Sequence, residues 1–423
     1  MNQSPICHRW SALTALRNAG FSISSFLICL SSIWVLTGGN AFAQGNSSNP
    51  IELGNKNVKL YLGGAIRFTA LTASARGLPT ATPFYLSPKL DGQQSTVSLD
   101  ARNSSLYFRL IGPKVAGMNS GGMIIGQFSN GNVLSGQYGF TPGIAFAELY
   151  NDQWRFAFGA QADLFSPRAP VMVDTFSILG GSGNPGNSFR TELRAERTIA
   201  DVRHDEKWKI GVALSSPQSL TIKPDAARVL EATGLPNAEG AILWTIGANE
   251  AEKPSIWLKR PRLEIGISGV SGEYRTVSSI GAFQPFKTRF NGMALETGLR
   301  FGKRFGIQGE WYRGKGLGAY LGNAIQTTNA TDAVVSGEGW WADVAYYWKP
   351  NVHSHTGYGS DHLDRNRLTT GQISRNATAF LNVIWDYDAV WQFSSELTWR
   401  KTEYVSLTNN QGAGLMFAIQ MKF

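Results

Sequence analysis

Cysteine, charge and long apolar runs are all scarce in this chain. Its two cysteines, Cys7 and Cys29, both lie near the N-terminus, so the remainder offers neither a disulfide framework nor a Cys-ligated metal site. Only 16% of the 423 residues are charged while 12% are aromatic, which excludes a disordered chain. The 47 glycines are too few for a collagen, which needs one at every third position. Past the N-terminal segment, no stretch of about 18 consecutive apolar residues occurs. The longest uncharged stretch, Val115 to Ala147, is broken by Gly, Asn, Ser and Pro. With a mean hydropathy of −0.15, a bundle of membrane-spanning helices is therefore disfavoured. Two or three soluble domains, or one large β structure, remain.

The first segment reads as a leader. Residues 1–43 carry Arg9 and Arg17 without any acid, then the apolar run Phe21 to Leu36, then Ala41-Phe42-Ala43 before Gln44. That is the layout of a cleavable signal peptide, so the mature chain is expected to begin near Gln44 without cysteine. A lipoprotein reading of Cys29 is disfavoured by Ile28 before it and by the apolar run continuing past it. Removing Arg9 and Arg17 leaves 37 basic residues against 30 acidic ones, a mature charge of about +7. A secreted location makes nucleic acid an improbable reason for that charge, and no nucleic-acid partner is expected.

What is present is strict alternation. Val58, Leu60, Leu62, Ile66 and Phe68 alternate with Lys59, Tyr61, Gly63, Ala65, Arg67 and Thr69, and Leu415, Phe417, Ile419, Met421 and Phe423 close the chain likewise. About sixteen such segments are expected: 58–70, 97–111, 121–129, 142–150, 153–165, 188–203, 207–216, 255–270, 272–280, 290–302, 304–314, 337–349, 351–359, 374–386, 390–404 and 412–423. Short connections such as 151–152, 303 and 350 alternate with long ones such as 71–96, 166–187, 217–254 and 315–336. Many segments are about ten residues or longer, the length a tilted strand needs to cross a bilayer. Trp208, Trp340, Trp348, Trp385, Trp391 and Trp399 share the apolar parity, as an interfacial girdle requires. The pattern predicts an all-β transmembrane antiparallel barrel over 58–423, with short periplasmic turns, long extracellular loops and a short periplasmic segment at 44–57.

If the apolar parity faces lipid, the other parity lines the lumen. Its cations are Lys59, Arg67, Arg109, Arg155, Arg190, Arg194, Lys209, Arg262, Arg300 and Arg400; its acids are Asp163, Glu192, Glu196, Glu264, Glu296, Glu310, Asp343 and Glu396. Opposed rows of Arg and Asp/Glu orient dipolar solutes, and a local surplus of Arg concentrates anions. The competing reading is that many of these groups are cross-strand ion pairs that stiffen the wall. Loop 166–187 is the candidate for folding into the pore as a constriction, with Arg168 and Asp174 near the narrowest point; an ordinary solvated loop is the alternative. In 217–254, Pro224 to Leu230 reads as a short helix.

Chemistry for catalysis is thin. His353 and His355 share a strand face at a spacing that can bind zinc, with Asp361 and His362 in the following loop, and Asp361 and Asp364 could hold calcium, but no metal or other cofactor is expected. No G-x-S-x-G marks a nucleophile, and neither a phosphate loop nor a dinucleotide fingerprint occurs, so no enzyme is expected.

Several motifs carry a family resemblance. Val58-Lys59-Leu60-Tyr61, Ala101-Arg102-Asn103-Ser104-Ser105-Leu106, Ala147-Glu148-Leu149 and Phe158-Gly159-Ala160-Gln161 leading to Phe165 resemble the opening strands of dicarboxylate-type (DcaP-like) trimeric outer-membrane porins. Thr356 to Asp361, Asn376 to Trp385 and Arg400 to Tyr404 resemble closing strands of the same general type. The likeness covers about the first 120 residues after Ala43 and about the last 70, with 200–345 matched by strand rhythm alone. Two departures are Gly126-Gln127-Phe128, where the family usually carries an acidic pair, and Asn103-Ser104, where an Arg is usual. The resemblance implies a sixteen-stranded homotrimer in the bacterial outer membrane that passes small hydrophilic solutes, anions such as dicarboxylates above all. It implies outer-membrane lipid as surroundings and recognition of the C-terminal Phe423 by the barrel assembly machinery. The alternative function is a structural or adhesive barrel with a plugged lumen.

Overall fold

The computed structural model describes residues 51–53, 57–80, 83–89, 92, 94–129, 138–173, 179–186, 188–217, 228–232, 235–278 and 286–423. Among them, sixteen long strands form one closed antiparallel sheet. In chain order these are β1 (Val58–Ala73), β2 (Ser105–Val115), β3 (Met118–Ser129), β4 (Tyr138–Tyr150), β5 (Trp154–Ala162) and β6 (Phe189–Asp201). Then follow β7 (Glu206–Ser215), β8 (Asn237–Ile246), β9 (Leu263–Ser278), β10 (Phe286–Phe301) and β11 (Phe305–Lys315). The last are β12 (Ser336–Lys349), β13 (Val352–Leu363), β14 (Ile373–Asp386), β15 (Trp391–Tyr404) and β16 (Asn410–Lys422). Each strand pairs with the next, and β1 pairs with β16 over Ala65↔Lys422 to Ala73↔Gly414. Gly64 and Phe423 exchange backbone hydrogen bonds at the lower end of that seam. Closure matters because an unpaired N–H or C=O in lipid costs several kcal/mol, so a spanning sheet cannot keep an edge.

Alternation decides which side chain meets which solvent. On β15, Phe393, Leu397 and Trp399 are exposed on the outer wall while Gln392, Glu396, Thr398 and Arg400 are buried inside. The six tryptophans of the expected girdle are all exposed outward. Along β12, Trp348 and Trp340 bracket Val344; along β15, Trp391 and Trp399 bracket Leu397. Eight residues at about 3.3 Å each, tilted by about 40° as barrel strands are, separate the two tryptophan levels by about 20 Å, which fits inside the roughly 25 Å apolar band of an outer-membrane barrel.

Four expectations need correction. The region 217–254 is not one loop: β8 lies inside it. Its lumen parity, Asn237, Glu239, Ala241, Leu243 and Thr245, is partly small and apolar, which blurs the alternation with Ala238, Gly240, Ile242, Trp244 and Ile246. Conversely, 255–270 and 272–280 are one strand, β9, preceded by a connection at 247–262 with a single helical turn, α1 (Ala248–Ala251). The total of sixteen thus survives one missed strand and one split strand. The expected helix at 224–230 fails at its end, since Arg228–Ala232 is a short strand paired with β9; 224–227 lie outside the described residues. The expected strand 97–111 is broken into Thr96–Asp100 and β2, both paired with β1.

Candidate functional site: a loop seated in the lumen

The connection after β5 does not project outward. It enters the barrel, and carboxylates on five strands between β8 and β15 receive its backbone. Leu164 N donates to Glu239 on β8 at 2.7 Å and Arg168 N to Glu310 on β11 at 3.1 Å. Val171 N donates to Asp343 on β12 at 3.2 Å, Val173 N to Glu396 on β15 at 2.8 Å, and Gly183 N to Asp361 on β13 at 2.8 Å. The carbonyls are met too: Gln308 donates to Ala169 O, Asn382 to Val171 O and Arg67 to Val173 O. A buried backbone must find such partners, and here the lumen acids and amides provide them. Where the returning loop touches the wall, Gly339 and Gly359 face Gly183 and Ser182. A Cβ on either wall glycine would strike the loop, and Gly183 itself has φ +90°.

Arg168 stands at the centre. Its Nε lies 3.0 Å from Glu296 and its Nη1 3.1 Å from Glu264, while Glu310 also accepts from Ser166 Oγ at 2.8 Å and Trp341 Nε1 at 2.9 Å. From the periplasmic side, the 247–262 connection enters as well. Leu258 packs on Ala345 and Tyr347, Glu250 pairs with Arg300 at 3.1 Å, and Arg260 O accepts from Arg300 Nε at 2.7 Å. On the extracellular side the β11–β12 connection also folds inward. Its Leu317 and Tyr320 join Phe165, Phe290 and Tyr312 in an apolar cluster. Arg190 lies over the Tyr320 ring at 3.5 Å and donates to Ala319 O.

The expected lumen residues that lie on strands point inward, whereas Arg262 is exposed and off the strands. Arg190, Glu192, Arg194 and Glu196 are buried inside, with Arg194 on Glu192 at 2.7 Å and Arg190 near Asp163 at 3.5 Å. Arg155 joins Glu148 at 2.6 Å and Glu196 at 2.9 Å, and Lys209 meets Glu196 at 2.9 Å. Arg400 donates to Thr398 at 3.0 Å. Arg109 on β2 is half-buried and has Met123 as its cross-strand partner, next to Tyr107, Ile125, Ile144 and Phe146. Lys59 sits at the periplasmic end of β1, half-buried, opposite Ile111. Arg262 belongs to the 247–262 connection, and Asp174 lies outside the described residues.

The histidine reading changes in detail. His353 and His355 both face inward, 3.1 Å apart, with His355 on Asp343 at 3.2 Å. Asp361 and His362 are not in a following loop, because β13 continues to Leu363. Asp361 is buried and accepts from Tyr312, Gly183 and Ala324, while His362 faces outward. Asp364 caps the turn after β13 by accepting from Asn366 N at 3.1 Å. Among the described residues no group of three or more potential metal ligands converges. Glu239, Asp361, Arg260 and Tyr320 were not singled out as lumen residues; for Glu239 the outward series Ile242, Trp244, Ile246 was the available signal.

No family model and no curated protein matches the chain in sequence. Among solved structures it is similar to the outer membrane channel DcaP of Acinetobacter baumannii, at 17% identity and TM-score 0.65, over 89% of this chain and 100% of that one. It is also similar to the anion-selective porin of Comamonas acidovorans, at 9% identity and TM-score 0.54, over 86% and 100%. A third is the outer-membrane protein OmpT of Vibrio cholerae, at 9% identity and TM-score 0.52, over 88% and 99%. These likenesses speak to fold, and the exposed apolar belt agrees with them. The chain is a sixteen-stranded barrel of the bacterial outer membrane, with the fold of an outer-membrane channel.

Proposed function

We propose that the barrel is a porin for passive diffusion of small hydrophilic solutes, with a mild preference for anions such as dicarboxylates. The observation that supports the preference is the use made of the lumen acids. Glu239, Glu310, Asp343, Asp361 and Glu396 each accept a backbone N–H of the inserted loop, so their charge is engaged at the joint between loop and wall. On β1, β2 and β4–β7, with Arg194 paired to Glu192 and Arg67 and Arg190 donating to the inserted loops, the further cations Lys59, Arg109, Arg155, Lys207 and Lys209 stand against the acids Glu148 and Glu196. That wall carries a surplus of positive charge, which raises the local concentration of anions. The loop at 163–186, with Arg168 at its centre, serves as the constriction.

The test is single-channel recording of the refolded mature protein in a planar bilayer under a salt gradient. An anion-favouring reversal potential that moves toward zero in an Arg109→Gln, Lys207→Gln, Lys209→Gln variant supports the reading. An unchanged potential sinks the assignment of these cations. The second reading, a structural barrel with a plugged lumen, is favoured by the loop cluster around Phe165 and Tyr320; a folded but silent protein would establish it. The leader at 1–43, the homotrimer and recognition of Phe423 by the assembly machinery belong to the same proposal. N-terminal sequencing, native mass spectrometry and a Phe423 variant's insertion yield are their respective tests.

A further inference from the structure

On the outer wall of β11, β12 and β15 the apolar belt ends in charge. Trp311, Trp340 and Trp399 mark its extracellular rim, and one outward-facing repeat above them stand Arg313, Glu338 and Lys401. His362 and Arg375 occupy the same level on β13 and β14, being cross-strand partners of Glu338 and of one another. Residues two apart on a strand are about 6.6 Å apart, so this row lies where lipid headgroups begin. Across the barrel the extracellular rim is different: Val97, Leu99 and Phe140 are exposed and apolar.

The cations gather unevenly around one acid. Lys401 Nζ is 2.8 Å from Glu403, but the guanidinium groups of Arg365 and Arg375 stand 3.9 and 4.0 Å from it, beyond hydrogen-bonding distance. Arg375 is steadied instead by Ser360 Oγ at 3.4 Å and the Tyr358 hydroxyl at 3.3 Å, and Arg365 by Ser374 Oγ at 3.3 Å. These are neutral acceptors, so both arginines share Glu403 with Lys401 at a distance and neither is hydrogen-bonded to a carboxylate. Arg313, Arg365, Arg375 and Lys401 face Glu338 and Glu403, a surplus of two positive charges. Arg365 is 69% exposed, Arg375 37% and Lys401 35%. Below them, the Trp340 and Tyr358 rings, 5.4 Å apart, offer an apolar bed.

We propose that this patch binds a phosphate group of the glycolipid of the outer leaflet, through Arg365, Arg375 and Lys401, with its acyl chains lying against Trp340, Tyr358 and Trp399. Arginine pairs with phosphate through two parallel N–H donors, and a basic cluster at the membrane surface is a headgroup site. Free phosphate shares the charge chemistry but cannot use the aromatic bed, so the lipid is the occupant assigned.

Native mass spectrometry of the full detergent-refolded protein tests this with three probes: phosphorylated lipid A, enzymatically dephosphorylated lipid A, and inorganic phosphate. Retention of the phosphorylated lipid, weakened about tenfold or more in an Arg365→Gln, Arg375→Gln, Lys401→Gln variant, is expected. Equal retention of the dephosphorylated lipid, equal binding by the variant, or displacement by inorganic phosphate at the lipid's own concentration would overturn it. Should that variant fail to fold, Glu403→Gln removes the competing carboxylate. Tighter retention of the phosphorylated lipid by E403Q supports the site, and unchanged or weaker retention refutes it.

Discussion

Glu310 takes four hydrogen bonds at once, from Ser166 Oγ, Arg168 N, Asn184 Nδ2 and Trp341 Nε1. Each buried donor left without an acceptor costs about 1–3 kcal/mol, so Glu310→Ala should lower the melting temperature and loosen the loop. Larger and noisier single-channel steps are the expected signature. Arg168→Ala should be worse still, because it strands Glu264 and Glu296 together; breaking a buried pair typically costs about 3–5 kcal/mol, and a shift toward cation passage should accompany it. In the turn after β6, exposed His204 is bonded to Asp201 at 2.8 Å, and this contact raises the imidazole pKa above its usual value. Its stabilising contribution is complete below the unfolded value near 6.5 and fades as pH rises through the folded one. NMR titration of His204 in Asp201→Asn should return the ordinary value. The inward direction of Arg190, Glu192, Arg194 and Glu196 was legible because a strand alternates whatever it packs against. Their partners were not: Arg168 and Glu296 are 128 positions apart, and nothing local in either segment names the other.

The loop at 163–186 shows what an element can hide from pattern reading. Its sequence, Ser166-Pro167-Arg168-Ala169-Pro170, looks like a solvated connection, and its seat in the lumen depends on amides and carboxylates spread over many strands. Wall glycines are the complementary half of that design. Gly359→Leu would drive a side chain into Ser182 O, with the Leu179 side chain also near. The displaced loop should show as altered conductance in a barrel that still folds, read by heat-modifiable gel mobility beside bilayer recording; unaltered conductance would show that the approach is not needed. Strand β8 is harder to read because Ala241 and Leu243 on its inward parity are apolar and half-buried, which blurs the alternation. The 247–262 connection was misjudged because a rule of short periplasmic turns leaves no room for one that turns back into the barrel.

At the scale of the whole barrel, sixteen strands and their handedness of exposure were readable because lipid imposes one requirement on every outward residue. Closure depends on β16, which completes the ladders of both β15 and β1. A chain lacking 410–423 should leave two bare edges and yield no heat-modifiable species after refolding; recovery of a compact barrel would contradict the seam described. The order of the chain adds a constraint on biogenesis. The inserted loop precedes almost every strand that clasps it, and its last anchors, Glu396 on β15 and the pairing of Arg67 with Gln420 on β16, are synthesised near the end. The loop therefore cannot be fully seated before the cylinder is zipped. Any step that delays zipping also prolongs an interval in which the lumen lacks its fully seated loop, so slow assembly itself should be a source of envelope leakage to toxic compounds.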